Sequence, residues 1–333
     1  MTRRSDLAFA VILALCLAAF PAGSQEPSAD QGARPSFSEW LADLRAEALE
    51  AGIRAETLDA ALTGIEPLTR VVELDRKQPE VTQTFSEYMA RRVTPALVAE
   101  GIQKLRENRA LLEAVSRRYG VQPRFIVALW GVETRYGKYG GSFSVIASLA
   151  TLAYDARRSA YFRRELIDAL RILDEGHIAP TDMKGSWAGA MGQNQFMPSS
   201  FMRFAVDQNG DGRRDIWTTP ADIFASSANY LARSGWRGDQ TWGREVRLPE
   251  SFTAALAGHA VKKRLSEWQE LGVRRADGSD LPTRDLLASV IMPGGADGPA
   301  FVVYDNYRTI LKWNHSDYFG MSVGRLADLI GSG

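Results

Sequence analysis

Residues Phe125 to Gly137 read FIVALWGVETRYG, an apolar run that carries a single acid, Glu133. In a helix, side chains three, four and seven residues before Glu133 share its face, and all three are apolar: Trp130, Leu129 and Ile126. Loss of hydration in such a stripe disfavours the charged form of a carboxyl group and raises its pKa. A carboxyl group that keeps its proton near neutral pH is suited to general acid catalysis.

A second reading of this run stays open at this point. Glu133 could instead turn to solvent at the helix end or pair with Arg135, with no chemical role. The glycines Gly131 and Gly137 favour the chemical reading slightly, because residues without side chains let a bulky substrate approach the backbone.

Residues 184–200, KGSWAGAMGQNQFMPSS, hold too many glycines for a core helix. They also combine amides, hydroxyls and an indole ring. Amides bond to hydroxyl and N-acetyl groups, and an aromatic face covers the apolar side of a sugar ring. The loop therefore predicts a sugar site. A phosphate cradle is the weaker alternative, since no Lys-Ser or Lys-Thr pair follows the glycines.

The remaining chain predicts a mainly α protein of the α+β class. Apolar residues recur at helical spacing from Phe37 to Gly52 and from the Thr94-Pro95 start to Gly120, which predicts a helical domain over residues 36–120. Helical patterns also fill much of residues 121–240, the predicted catalytic core. Short β-branched or apolar runs at residues 245–248, 287–292 and 301–304 predict a small β-containing domain over residues 241–305. Residues 306–333 predict closing helices.

The N-terminal residues predict export. Arg3 and Arg4 precede the apolar run 7–20, which is shorter than the roughly 20 residues needed to span a bilayer. We expect a signal peptide over residues 1–24, a flexible tether over residues 25–35, and a soluble periplasmic protein. The single cysteine, Cys16, lies in the apolar run, and Leu15 before it argues against a lipid anchor, because lipoprotein signals prefer a small residue there.

The charge balance does not point to any particular partner. The 333 residues contain 40 basic and 40 acidic side chains, so no strong net field attracts nucleic acid or an anionic membrane. We expect a monomer.

Several ordered motifs resemble the membrane-bound B type of lytic murein transglycosylase. They are residues 131–137, 186–193, 195–200, 227–231 and 313–318, and the likeness runs from about Phe37 to Ile330. The resemblance implies a lysozyme-like helical catalytic core, an additional helical domain and the small β-containing domain.

The resemblance also implies a reaction. The family cleaves the β-1,4 bond between N-acetylmuramic acid and N-acetylglucosamine in peptidoglycan without water and leaves 1,6-anhydromuramoyl ends. Glu133 would be the only catalytic residue, first acid and then base. Most glycosidases use two carboxylates, but no second acid follows Glu133 in its motif.

Further site residues follow from the resemblance alone. Ser186 and Gln195 are implied at the cleavage subsites. The groove walls and the N-acetyl region are assigned to Arg158, Tyr161, Tyr230, Trp313 and Asn314. Trp313 stands where relatives often carry tyrosine. Tyr161 and Tyr230 could also be core aromatics, and Arg158 a surface ion pair.

The segment Asp207 to Asp215, DQNGDGRRD, matches an EF-hand calcium loop at positions 1, 3, 5 and 6. The ligands would be the side chains of Asp207, Asn209 and Asp211, the carbonyl of Arg213, and the late acid Asp222. Thr218 stands where the bidentate glutamate is expected. A metal-free turn held by side-chain hydrogen bonds is the alternative. We expect calcium to have a structural role and the chemistry to need no cofactor.

Three other functions stay open. A hydrolytic muramidase would add water, a non-catalytic scaffold would only bind peptidoglycan, and a calcium-regulated adaptor is more distant. Glycan strands are the expected partner, and cell-wall synthesis or division proteins are further candidates.

Overall fold

The computed structural model describes residues 35–77 and 83–332. The predicted signal peptide, Cys16 and almost all of the predicted tether lie outside these residues. Within residues 35–77 and 83–332, no helix combines the length and apolar character needed to cross a membrane.

Six helices occupy residues 35–77 and 83–119, and capping residues define several of them. They are α1 (Phe37–Glu50), α2 (Ala55–Leu62), α3 (Thr69–Arg76), α4 (Phe85–Arg92), α5 (Pro95–Glu107) and α6 (Arg109–Tyr119). The hydroxyl of Thr94 accepts from the backbone N–H of Leu97 at 3.2 Å, which explains the start of α5. The predicted helical pattern from Pro95 to Gly120 is divided into two helices, because Asn108 ends α5 and its side chain donates to the carbonyl of Lys104 at 3.0 Å.

The central segment contains five helices and one small two-stranded sheet. These elements are α7 (Pro123–Thr134), β1 (Phe143–Ser144), α8 (Val145–Tyr154), α9 (Ser159–Asp174), β2 (Lys184–Gly185), α10 (Pro198–Phe204) and α11 (Pro220–Arg233). Strands β1 and β2 pair antiparallel. Helix α7 is buried from Phe125 to Thr134, because α5, α6, α11 and the last helix of the chain surround it.

The final segment contains the sheet and returns to the core. Its elements are β3 (Gly243–Arg247), β4 (Lys263–Arg264), α12 (Leu265–Glu270), β5 (Arg274–Arg275), β6 (Leu287–Ile291), β7 (Ala300–Val303), α13 (Asp305–Trp313) and α14 (Asp317–Gly331). The antiparallel sheet has the order β4-β6-β7-β3-β5. Strands β3, β6 and β7 match the three predicted runs. The two-residue strands β4 and β5 are basic and carry no apolar pattern, so the sequence did not reveal them.

Buried apolar side chains form two clusters. The larger cluster joins helices from both halves of the chain and extends to α13 and α14. The smaller cluster lies around Trp268, between α12 and the sheet. Since α14 packs against α7, the last helix of the chain supports the helix that carries Glu133. The predicted mainly α, lysozyme-like architecture with a small β-containing part is confirmed.

Candidate active site

Glu133 lies in the last turn of α7 with 6% of its surface exposed. The three apolar side chains predicted on its face are also buried. The helix ends at Arg135, whose φ of 51° is left-handed, and Tyr136 follows with a φ of 58°. Two consecutive non-glycine residues in this region are costly, and such strain is found mostly at functional sites.

Burial and the neighbouring groups set the pKa of Glu133. Burial raises its pKa from the ordinary 4.5 to about 7, while the nearby Arg92 guanidinium and a hydrogen bond from Trp313 oppose the rise. The indole Nε1 of Trp313 donates to Glu133 Oε1 at 2.7 Å. The C-terminal end of a helix also disfavours negative charge. Glu133 can therefore hold and release a proton near neutral pH.

A pocket opens beside Glu133. Residues of α4, α5, α7 and the loop after α7 line it: Arg91, Arg92, Thr94, Leu97, Gly131, Val132, Glu133, Thr134, Arg135 and Tyr139. Within residues 35–77 and 83–332, Glu133 contributes the only carboxyl group of this lining. The acid is thus buried from bulk solvent but faces space that a ligand can enter.

An aromatic cluster continues from Glu133 along one side. The ring of Trp313 lies 4.7 Å from that of Tyr230 and 5.1 Å from that of Phe196, and Tyr230 lies 4.5 Å from Phe204. The Tyr230 hydroxyl donates to the carbonyl of Lys312 at 2.6 Å, which fixes α11 against the end of α13. Burial raises the pKa of Tyr230 to about 12, so this residue remains neutral.

The glycine-rich loop is folded tightly by its own polar groups. Ser186 accepts from the backbone N–H of Ala190 at 3.0 Å. Gln195 has a left-handed φ of 50°, and its Nε2 donates to the carbonyls of Gly192 and Gly140 at 2.9 and 3.1 Å. Both side chains are buried, at 8% and 7% exposure. Gln195 precedes Phe196, so the loop meets the aromatic cluster beside Trp313.

Gln193 joins this loop to α7, a link that sequence reasoning missed. Its Oε1 accepts from Trp130 Nε1 at 2.7 Å, and its carbonyl accepts from the Thr134 hydroxyl at 3.1 Å. Its Nε2 and backbone N–H donate to the carbonyls of Trp217 and Ile216 at 2.7 and 2.8 Å. Gln193 therefore connects the helix of Glu133 to the end of the predicted calcium loop.

Arg158 and Tyr161 occupy a different neighbourhood. Arg158 forms an ion pair with Asp75, which is 6% exposed, and its guanidinium lies 5.0 Å from the ring centre of Phe162. The side chain of Arg158 is itself largely buried, so the ion pair is not a surface one. Burial and the carboxylate of Glu165 raise the pKa of the Tyr161 hydroxyl. Neither residue contacts Glu133 directly within the described part of the chain.

Asn314 follows Trp313 at the end of α13. Its Oδ1 accepts from the backbone N–H of Ser316 at 3.0 Å and orders the turn into α14. The structure therefore groups Glu133, Trp313, Tyr230 and the loop of Gln195, with Asn314 adjacent in sequence.

The predicted calcium loop is closed by its own side chains. Asp207 accepts from the backbone N–H groups of Gly210 and Gly212 at 2.6 and 2.8 Å, and Asp211 accepts from that of Arg213 at 2.8 Å. Asn209 Nδ2 donates to Asp211 Oδ2 at 2.9 Å. The side-chain oxygens of Asp207, Asn209 and Asp211 are of the ligand type that a hard cation such as calcium prefers.

Asp222, the predicted late ligand, bonds to the backbone of the loop. It is fully buried, and its two oxygens accept from the backbone N–H groups of Gln208 and Asp215, both at 2.8 Å. Across residues 35–77 and 83–332, no group of three or more acidic, histidine or cysteine residues is close enough together to hold a metal. The loop thus matches an EF-hand in its early positions only.

Two further residues near Glu133 were missed by sequence reasoning. Arg92 acts on Glu133 electrostatically and donates from Nη2 to the carbonyl of Val132 at 2.8 Å. Tyr88 lies one turn earlier on α4, and its ring centre is 5.1 Å from that of Tyr318. Their helix carries no motif, and only the packing of α4 against α14 brings them to α7.

A helical core that holds one protonatable glutamate beside an aromatic wall and an amide-rich loop defines a lysozyme-like protein. Residues 36–328 match the family model described as "Transglycosylase SLT domain", and the chain belongs to this family.

Known proteins resemble the chain along most of its length. The membrane-bound lytic murein transglycosylase B of Escherichia coli (strain K12) is 33% identical over 256 residues, which are 73% of this chain and 66% of that protein. The chain thus matches slightly less than two thirds of the length of this relative. SltB3 from Pseudomonas aeruginosa, in complex with NAG-anhNAM-pentapeptide, is 45% identical with a TM-score of 0.88, over 90% of this chain and 80% of that one. Escherichia coli Slt35 in complex with calcium is 29% identical with a TM-score of 0.76, over 88% and 92%.

Proposed function

We propose that this protein is a lytic transglycosylase that cleaves peptidoglycan between N-acetylmuramic acid and N-acetylglucosamine and leaves 1,6-anhydromuramoyl ends. The observation that carries the proposal is the burial of Glu133 beside an accessible pocket, with a pKa of about 7. Family membership and the ligand named with SltB3 support the same reaction.

The proposed chemistry needs one carboxyl group. Protonated Glu133 gives its proton to the glycosidic oxygen as the bond from that oxygen to C1 of the muramoyl residue breaks. The N-acetyl group of the same residue stabilises the positive C1. The C6 hydroxyl then attacks C1, and its proton passes to Glu133, which returns to its starting form. Since Glu133 is the only acid among the described residues that line the pocket, this cycle suits the site better than a two-carboxylate mechanism.

The neighbouring residues would hold the sugar chain. We assign Ser186 and Gln195 to the cleavage subsites, and Tyr230, Trp313 and Asn314 to the wall next to Glu133. The indole N–H of Trp313 already bonds to Glu133, so we assign this ring to stacking and to control of the acid. Arg158 and Tyr161 would extend the groove.

Digestion of purified sacculi followed by mass analysis of the muropeptides tests the proposal. We expect anhydro ends, and a Glu133→Gln variant should lose turnover while it still binds glycan. Reducing ends would instead identify a muramidase that adds water. A Glu133→Gln variant with full turnover would contradict the catalytic assignment, and an inactive wild type that binds sacculi would indicate a scaffold.

We also propose a structural calcium ion held by Asp207, Asn209, Asp211, the carbonyl of Arg213 and the late acid Asp222, because Slt35 is described in complex with calcium. Gln193, which bonds to both Trp217 and Trp130, would connect the ordered calcium loop to α7 and stabilise the position of that helix.

We propose four structural parts for the mature protein. They are a helical domain at residues 36–120, a catalytic core at residues 121–240, a small β-containing domain at residues 241–305 and closing helices at residues 306–333. We likewise propose a monomer that is exported to the periplasm and there meets glycan strands and cell-wall synthesis or division proteins.

A further inference from the structure

Three arginines from two elements converge on the pocket of Glu133. Arg91 and Arg92 end α4, and Arg135 follows α7; all three line the pocket. Sequence reasoning considered Arg135 only as a partner for Glu133, but the structure contains no ion pair between these two residues. The proposed reaction uses none of the three arginines as an acid or base.

Two of the three guanidinium groups have a buried Nε without a hydrogen-bond partner. Arg92 is held by its Nη2 hydrogen bond to the carbonyl of Val132, and its Nε is buried without a hydrogen-bond partner. The Nε of Arg135 is buried in the same way, on a backbone held at a left-handed φ of 51°. The side chains of Arg91, Arg92 and Arg135 are exposed or half-buried, so a ligand in the pocket would meet their terminal Nη groups rather than these shielded Nε atoms.

The surrounding acids do not neutralise this cluster. Glu87, one turn before Arg91, interacts with Arg91 electrostatically but forms no ion pair with it. Its carboxylate caps α4 by accepting from the backbone N–H of Thr84 at 3.0 Å. Glu100 is paired with Lys138 at 2.7 Å. Within residues 35–77 and 83–332, none of the three arginines has a carboxylate oxygen within 4 Å. Many other arginines of the protein do form ion pairs, for example Arg54 with Asp174 and Arg158 with Asp75. The pocket therefore has excess positive charge next to the acid.

We propose that Arg91, Arg92 and Arg135 form a subsite for a carboxylate of the substrate. Planar guanidinium groups bind carboxylates through paired hydrogen bonds, which favours this ligand over a neutral sugar. The inference rests on the proposed function, because a muramoyl residue carries a carboxylate at its lactyl substituent. The carboxylate is that of the lactyl ether when no peptide is attached, and it belongs to the peptide when the lactyl group is amide-linked to one. N-acetylglucosamine carries none.

The subsite would also couple binding to catalysis. Arg92 lowers the pKa of Glu133. A carboxylate bound to Arg92 adds a negative charge near Glu133, so it favours the protonated form that the first step requires. Substrates with this carboxylate would then bind more tightly, and their binding would also favour the protonated form of Glu133.

Calorimetric titration of the Glu133→Gln protein tests the subsite without turnover. The ligands are NAG-NAM-pentapeptide, NAG-NAM with a free lactyl carboxylate, and NAG-NAM with that carboxylate converted to an amide. Each is compared in Arg91→Gln, Arg135→Gln and Arg135→Lys backgrounds. Arg117→Gln is the matched control, since Arg117 is an exposed arginine on α6 that does not line the pocket.

We expect each glutamine variant to bind one or both acidic ligands about tenfold more weakly, which corresponds to about 1.4 kcal/mol. Binding of the amide ligand should not change, Arg135→Lys should retain most of the affinity, and Arg117→Gln should behave like the parent. An effect on the pentapeptide alone assigns the subsite to the peptide stem, and an effect on the free lactyl ligand alone assigns it to the lactyl group.

Unchanged affinity for both acidic ligands in the two glutamine variants would overturn the subsite and leave the proposed function intact. An equal loss for the amide ligand would also overturn it, since the arginines would then act on folding or on the sugar. Failure of all three ligands to bind the parent protein would instead refute the proposed function and the subsite with it.

Discussion

Replacing Glu133 with glutamine should stabilise the protein, and only above the pH at which an exposed glutamate ionises. The pKa of Glu133 rises from 4.5 to about 7 on folding, because burial disfavours its charged form. Below pH 4.5 the folded and unfolded chains both carry the proton. Between pH 4.5 and 7 the unfolded chain releases it while the folded chain retains it, so wild-type stability falls through this window and levels off above pH 7.

The size of the effect follows from the two pKa values. At about 1.4 kcal/mol for each tenfold change in proton affinity, a rise from 4.5 to about 7 is equivalent to about 3 kcal/mol. Glutamine has no charge to bury, so Glu133→Gln should escape this cost. We expect its advantage over wild type to grow by up to about 3 kcal/mol between pH 4 and pH 8.

Urea unfolding of both proteins at pH 4, 6 and 8 measures this difference. Glu50→Gln is a suitable control, because Glu50 is exposed at the end of α1 and should show no such growth. A stability difference between Glu133→Gln and wild type that does not change with pH would refute the argument, since Glu133 would then ionise alike in both states.

Three further perturbations test other contacts. Trp313→Phe removes a hydrogen bond that favours ionised Glu133, so the pH at which activity falls on the alkaline side should rise by about one unit. An unchanged pH profile would show that Trp313 does not influence the pKa of Glu133. Asp75→Asn leaves the largely buried guanidinium of Arg158 without its partner and should lower the free energy of unfolding by about 3 kcal/mol, as measured in urea; a loss below about 1 kcal/mol would indicate a weakly coupled pair. If the EF-hand-like loop binds calcium, calcium should raise the melting temperature of the wild type but not of Asp207→Ala, and equal responses would exclude this loop as the site.

The sequence alone was sufficient for the local features. The periodicity around Glu133 predicted a buried acid on a helix, because the 3.6-residue repeat fixes which side chains share a face. The Thr94-Pro95 pair predicted the start of α5, and three apolar runs predicted the main strands, because these signals act within a few residues. The ordered motifs were long enough to identify the family.

Only the tertiary structure decided the environment of the acid. Trp313 lies 180 positions after Glu133, and Arg92 lies on another helix; the packing of α13, α14 and α4 around α7 brings both to the carboxyl group. The same holds for Gln193, whose four hydrogen bonds tie together segments that no local pattern relates. Desolvation and charge act through space, so a helical repeat can predict that an acid is buried but cannot reveal which groups set its pKa.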